Sequence, residues 1–280
     1  MDLSGAAGLF GGLLRPSQTK WRRRAVGALL VAPLGYAVLA YGVAPALWRH
    51  YEHHPAMEGA PKKTTTAAGL PGDPLNIGLV GRQEEVVRAF LTAGWAPADP
   101  ITLRTSLAIV ESVLLRRADP TAPVSPLFLW GRRQDLAFEQ AVGASARERH
   151  HVRLWRSDAL GVDGRPFWLG AATFDRGVGI GHRTGQVTHH IAPDIDAERA
   201  ALMTDLVRAG QVTHLYQVTG VGPTLLGRNG EGDRYFTDGE VTVAVLSHGN
   251  APRSQPPERL PNPAPVTLKN RVWAWARTLL

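Results

Sequence analysis

The apolar positions are densest near the start of the chain, where residues 25–48 run for 24 positions without a charge. As an α-helix at 1.5 Å per residue this stretch is about 36 Å long, enough to cross the hydrocarbon of a bilayer. Pro33, Pro45 and three glycines interrupt it, residues that a water-soluble helix avoids and a membrane helix tolerates. Trp21 precedes the run, and Trp48 and Tyr51 close it, where amphipathic rings favour the two interfaces. Arg15, Lys20, Arg22, Arg23 and Arg24 lie before it, against Arg49, Lys62 and Lys63 after it. The basic excess predicts a single-pass helix in the cytoplasmic membrane: residues 1–24 stay in the cytoplasm, 25–48 span, and the main domain is extracytoplasmic. A cleaved signal peptide is the rival reading, because Ala44-Pro45-Ala46 offers a small-x-small site, and it exports the same residues.

Downstream the pattern shortens. Residues 49–75 are rich in Pro, Gly, Thr and Ala without apolar periodicity, which reads as a linker before a domain at 76–250. Residues 76–80 read as a strand. Residues 83–93 then place Val86, Val87, Phe90 and Leu91 on one helical face, with Gly94 as the stop. A second helix is expected over 99–117, capped by Asp99 with Pro100 in its first turn. Strands follow at 127–130, 135–140, 149–156 and 166–174, the last two turning at Asp163-Gly164. After the glycine-rich 177–185, a strand at 186–191 leads into a helix capped by Asp194 and ended by Gly210. A strand at 214–219 and a hairpin over 234–246, turning at Asp238-Gly239, complete the domain. Helices in blocks between runs of strands predict an α+β fold, mainly antiparallel sheet with about three packed helices. Residues 251–265 form a Pro-rich spacer. In 266–280, Leu268, Val272, Trp275 and Leu279 recur at helical spacing beside Lys269, Arg271 and Arg277, an amphipathic basic helix suited to a lipid surface or to docking on the domain.

The net charge of +7 changes the picture only after it is located. Residues 1–75 carry eight Lys/Arg against four Asp/Glu, and 251–280 carry five against one, whereas 76–250 hold 18 Arg, no Lys and 19 acidic residues. The domain is therefore near neutral, without the basic stripe that nucleic acid requires. With no cysteine, disulfides, thiolate chemistry and Cys-type zinc sites are all excluded.

The chemistry-bearing residues gather around two histidine pairs. Alternation along 149–156 puts His151, Arg153 and Trp155 on one face and His150, Val152 and Leu154 on the other. If that strand neighbours 186–191, His151 meets His189 or His190 beside the loop holding Asp175, Arg176, His182 and Arg183. Such a cluster could hold a metal through imidazole and carboxylate, or serve anion binding or proton transfer through Arg and His; histidines that simply hydrogen-bond within the fold are the leading competing reading. No metal-ligand spacing, Walker loop or Gly-x-Ser-x-Gly elbow occurs, so no metal or cofactor is implied. Residues 227–233 have the composition of a calcium loop but lack its alternating Asp/Asn ligands, which reads as a surface loop.

Several segments together resemble the LssY C-terminal domain family: Asn76-Ile-Gly-Leu-Val-Gly81, Gly94-Trp95 with Ala98-Asp99-Pro100, Gly131-Arg-Arg-Gln-Asp-Leu-Ala-Phe-Glu-Gln140, Arg149-His-His-Val-Arg-Leu-Trp155, Phe174-Asp-Arg-Gly177, Val187-Thr-His-His-Ile-Ala-Pro-Asp194, Gly227-Arg-Asn-Gly230 and Tyr235-Phe-Thr-Asp-Gly239. The resemblance covers about residues 75–248. In that family the domain is often joined to membrane proteins of the type 2 phosphatidic acid phosphatase and DedA classes. It implies a membrane setting and anionic-lipid metabolism, with the bilayer and a membrane phosphatase or other membrane protein as partners, and it carries over no catalytic residue. The phosphatase pattern itself is missing: Gly179-Ile-Gly-His182 lacks the Pro-Ser of Pro-Ser-Gly-His, and Asp194 falls one position too far beyond His189. The resulting expectation is a membrane-anchored domain that binds an anionic ligand or a membrane protein partner in the cell envelope. The alternative is a hydrolase of phosphate esters or lipid headgroups that uses the His/Arg cluster.

Overall fold

The computed structural model describes residues 18–51, 54, 57–100, 102–104, 126–142, 148–180, 185, 187–249 and 251–279. The chain divides into two compact units, Met1–His50 and Tyr51–Leu280. In the first, α1 (Gln18–Ala37) passes into π turns at Val38–Val43, then α2 (Ala44–Trp48) and one 3-10 turn, Arg49–Tyr51. The widened turns precede Pro45, whose ring nitrogen has no hydrogen to donate one turn back. Arg24–Tyr51, 28 residues, is long and apolar enough to cross a membrane, and Leu29, Val31, Leu34, Leu39 and Tyr41 are exposed along it.

The second unit is α+β. Its packing starts earlier than composition suggests. Met57 is buried, and the stretch that reads as a linker carries β1 (Lys63–Thr66) and β2 (Pro71–Pro74). The reason is local: β2 has no apolar alternation to betray it, and Thr64 and Asp73 are buried through their polar groups, with Thr64 Oγ1 donating to the Asp73 carbonyl at 2.9 Å. These strands join β5 (Leu127–Leu129) and β6 (Arg132–Arg133) in a four-stranded sheet ordered β2-β1-β5-β6.

The large sheet runs β15-β11-β14-β3-β9-β8-β7-β4 among the described residues, with β10 paired on β9. Its strands are β3 (Ile77–Val80), β4 (Ala96–Pro97), β7 (Leu136–Ala141), β8 (Arg149–Leu160), β9 (Pro166–Ile180), β10 (Val187–Ile191), β11 (Val212–Val218), β14 (Val241–Leu246) and β15 (Glu258–Arg259). Most of its pairings are antiparallel, as expected, but the sheet is mixed: β14 runs parallel to β3, and β15 parallel to β11. The expected 234–246 hairpin is corrected. β13 (Arg234–Phe236) pairs with β12 (Leu226–Arg228) in a separate ribbon, while β14 enters the large sheet. The Asp238 carboxylate is pinned by Arg199 at 2.7 and 2.9 Å, so this turn hands the chain from one sheet to another.

One face of the large sheet packs against α3 (Gln83–Thr92) and α4 (Ile195–Arg208), burying Phe90, Trp95, Phe138, Leu154, Trp168 and Leu202. The other face holds Trp155, Phe167, Leu169 and Val243 with Leu127 and Leu129 of the small sheet. Trp155 thus lies on the face that alternation assigns to it. Asp175 and the glycines after it, expected as a loop, continue β9 to Ile180 and pair with β10. Pro100 and residues 102–104 are helical, with the Asp99 carboxylate accepting the Thr102 N–H at 2.7 Å as the expected cap, and residues 101 and 105–117 of the expected helix lie outside the described residues. The tail carries β15 and α5 (Ala264–Ala276).

Candidate functional site

β8 lies between β7 and β9, so each inward side chain meets one neighbour on either side: His151 stands opposite Glu139 and Thr173, and Arg149 opposite Ala141 and Asp175. Alternation turns Arg149, His151 and Arg153 toward the small sheet, where β2 brings Asp73. A buried ionic network results. Arg153 Nη1 donates to Asp73 at 2.8 Å, Arg149 Nε to Asp175 at 3.1 Å and Arg149 Nη1 to Glu139 at 2.8 Å. His151 Nδ1 stands 3.2 Å from Asp175 and its Nε2 3.5 Å from Asp73. The same Nε2 lies 2.7 Å from Thr173 Oγ1.

β10 is a neighbour of β9, not of β8. His189 nevertheless reaches the network because the register slips between His190 and Ile191: Ile191 faces Asp175, His190 faces Gly177, and Arg176 is left unpaired in a bulge. The extra residue shifts the alternation of β9 by one, so Asp175 stands opposite Ile191 and shares its side with His189, two residues away on β10. Its Nδ1 is 3.5 Å from Asp175 and its Nε2 3.4 Å from Arg149 Nη2. Gly177 adopts φ +152° in the bulge, a conformation that favours glycine.

Of the residues singled out in the sequence, the fold therefore unites His151, Arg153, Asp175 and His189. Arg176 is exposed in the bulge. His190 points elsewhere, its Nδ1 2.7 Å from Asp233, whose other oxygen accepts the Ile191 N–H. His182 and Arg183 lie outside the described residues. Arg149, Glu139, Thr173 and Asp73 belong to the network and are missed by sequence reasoning. Arg149 and Thr173 each sit two residues from a named member on the same strand face, a findable signal. Asp73 gives none. The 227–233 segment closes on itself through Asn229, whose Oδ1 accepts the Asp233 N–H at 2.9 Å. Among the described residues no group of three or more His, Asp or Glu is arranged to hold a metal ion.

Charge balances within the network. Burial pushes the His151 pKa down, but the facing Asp175 and Asp73 carboxylates outweigh burial and hold it above 6.5. With that ring protonated, Arg149, Arg153 and His151 meet Asp73, Asp175 and Glu139. Burial raises Asp175 and Asp73, and the cations around them reverse this and keep both below the usual carboxylate range. Two groups behave otherwise. Burial lifts Glu139 more than Arg149 lowers it, and burial lowers His189. The His189 side chain is 31% exposed, against 5% for Arg149 and 2% for Asp175, so the network opens to water there. On the opposite face His150 Nδ1 meets Glu198 at 2.6 Å, which raises its pKa.

Fold and site together define an α+β domain with a compensated charge network beneath its small sheet, in a chain that also bears an apolar helix. The chain belongs to the LssY C-terminal domain family: the family model described as LssY C-terminus matches residues 57–241. Comparison with curated proteins and with solved structures finds no match.

Proposed function

We propose that the protein is a membrane-anchored, extracytoplasmic domain of the cell envelope that binds an anionic ligand at the His189 end of its ionic network. The observation that carries this reading is the exposed imidazole of His189 set 3.4 Å from the Arg149 guanidinium. Arg149 gives one nitrogen to the deeply buried Asp175 and another to Glu139. Glu139 is the carboxylate that burial makes least comfortable as an anion, so an incoming phosphate or carboxylate displaces it at the lowest cost. The ligand would then accept from Arg149 and from a protonated His189, two charge-assisted hydrogen bonds on adjacent groups. The apolar helix and the excess of basic residues before it support the anchor and its direction.

A hydrolase is the second reading, and one observation favours it. Thr173 Oγ1, His151 and Asp175 line up as hydroxyl, imidazole and carboxylate, at 2.7 and 3.2 Å. Two features weigh against it: Thr173 is fully buried, and the two facing carboxylates favour the protonated imidazole, the form that cannot take a proton from a hydroxyl.

Titration of the full chain in detergent with inorganic phosphate and with short-chain phosphatidate tests the choice. Affinity is expected to rise as pH falls through 6.5, the ordinary value below which His189 sits, because the ligand favours the charged ring. His189→Gln is expected to weaken binding roughly ten- to hundredfold, the worth of one charge-assisted hydrogen bond, and to flatten the pH profile. No binding, or equal binding by the variant, overturns the site. Turnover of a phosphate ester that Thr173→Val abolishes would replace binding with hydrolysis.

A further inference from the structure

Helix α5 presents chemically different faces to the domain and to solvent. Its inner face buries Val266. Lys269 Nζ donates to Glu240 Oε1 and to the Asp238 carbonyl, both at 2.5 Å, and Arg277 reaches Asp194 at 3.4 Å. Glu240 is fully buried and also accepts the Thr219 hydroxyl at 2.8 Å. Two cationic contacts about two turns apart fix the rotation of the helix. Its outer face is therefore set as well, and it is the apolar one: Leu268, Val272, Trp275 and Leu279 are 56–73% exposed. Nearby, Leu225 and Leu226 are also exposed; the Leu225 carbonyl accepts the N–H of Thr237, next to the Asp238 that receives Lys269.

Charge identifies the occupant. Residues 260–280 contain Lys269, Arg271 and Arg277 and no acidic residue, and Arg271 is exposed on the helix. An apolar stripe with tryptophan and cationic borders is the composition of a helix that lies in the plane of an anionic membrane surface. The apolar helix ends at Tyr51, and the domain that carries α5 follows it in the same chain.

We propose that α5 is an interfacial membrane helix, docked on the domain by Lys269 and Arg277 and laid on anionic phospholipid by Leu268, Val272, Trp275 and Leu279. The N-terminal helix attaches the chain, and α5 sets which side of the domain faces the bilayer. This rests on the membrane-anchor reading above.

The chain has no cysteine, so single cysteines give unique spin-label sites in the full protein. Val272→Cys and Leu268→Cys report the stripe, Thr204→Cys an exposed position on α4, and Leu34→Cys the apolar helix. The variants are reconstituted in phosphatidylcholine vesicles with and without phosphatidylglycerol, and collision with oxygen is compared with collision with a water-soluble nickel chelate. The expected result is a several-fold higher oxygen-to-nickel ratio at positions 272 and 268 than at 204, strongest with phosphatidylglycerol present. Water access at both stripe positions while Leu34→Cys reads lipid overturns the inference and leaves the anchor standing. Water access at Leu34→Cys removes the anchor and this inference with it. Dipolar broadening at 272, the mark of a second copy seated on the stripe, overturns the lipid assignment.

Discussion

His151 is buried, yet its pKa is held above 6.5 because Asp175 and Asp73 face its two nitrogens at 3.2 and 3.5 Å. A histidine whose folded pKa exceeds its unfolded value contributes stability that is complete below 6.5 and disappears as pH climbs through the raised value. Asp73 and Asp175 work in the opposite sense: their contribution is present above 3.8 and is lost as pH falls through their depressed values. Wild type is therefore expected to exceed His151→Gln in unfolding free energy by about 1–3 kcal/mol, the cost of leaving charged partners unmet, between pH 3.8 and 6.5. The gap should close on the alkaline side. Urea unfolding of the full chain, followed by tryptophan fluorescence at a series of pH values, measures it, and a gap that widens with pH contradicts a charged His151. At this scale about half of the network is legible in the sequence. Strand alternation places His151 and Arg153 on one face from the spacing alone. Asp73 escapes because nothing around it alternates, and His189 joins only through a one-residue slip that local pattern does not encode.

Elements repeat that division between local and distant information. The α3 face of Val86, Val87, Phe90 and Leu91 and the cap at Asp194 are read correctly, because i+3/i+4 spacing and a side-chain acceptor act within one helix. Partner choice among strands is different. β14 alternates as a hairpin arm would, yet its partners β3 and β11 lie far along the chain or across the β12–β13 ribbon, and nothing in six residues names them. Gly170 shows what such a distant partner demands. An added Cβ there would come within 2.7 Å of both Ile77 and Leu154, two core side chains from neighbouring strands. Gly170→Ala is expected to destabilise the domain by about 1–3 kcal/mol through overpacking, although alanine costs a strand less entropy than glycine. A lower midpoint in thermal unfolding followed by near-UV circular dichroism checks this, and an unchanged or higher midpoint shows that Ile77 and Leu154 can yield.

Across the whole molecule, charge distribution carries more of the functional reading than any single motif does. The basic clusters at the two ends are separate from a near-neutral middle, so the same chain can favour a lipid surface at its ends without coating its domain in cations. Alkaline phosphatase fused after residue 279 is expected to be active in cells, and a cytosol-dependent fluorescent protein fused there to be dark. The reverse pattern places the domain in the cytoplasm and overturns the anchor's direction, while loss of an N-terminal tag from the mature chain points to a cleaved leader. The outline of the large sheet matters at the same scale. Among the described residues the path of paired strands ends at β4, two residues that include Pro97, and at β15, the exposed pair Glu258 and Arg259 laid parallel on β11, with β10 off the path on β9. A proline lacks the hydrogen that a docking strand needs, and a two-residue charged strip offers too little length to template one. On the anchor reading proposed above, copies confined to a plane would collide far more often than copies free in three dimensions, and these blunted margins would keep them from zipping edge to edge.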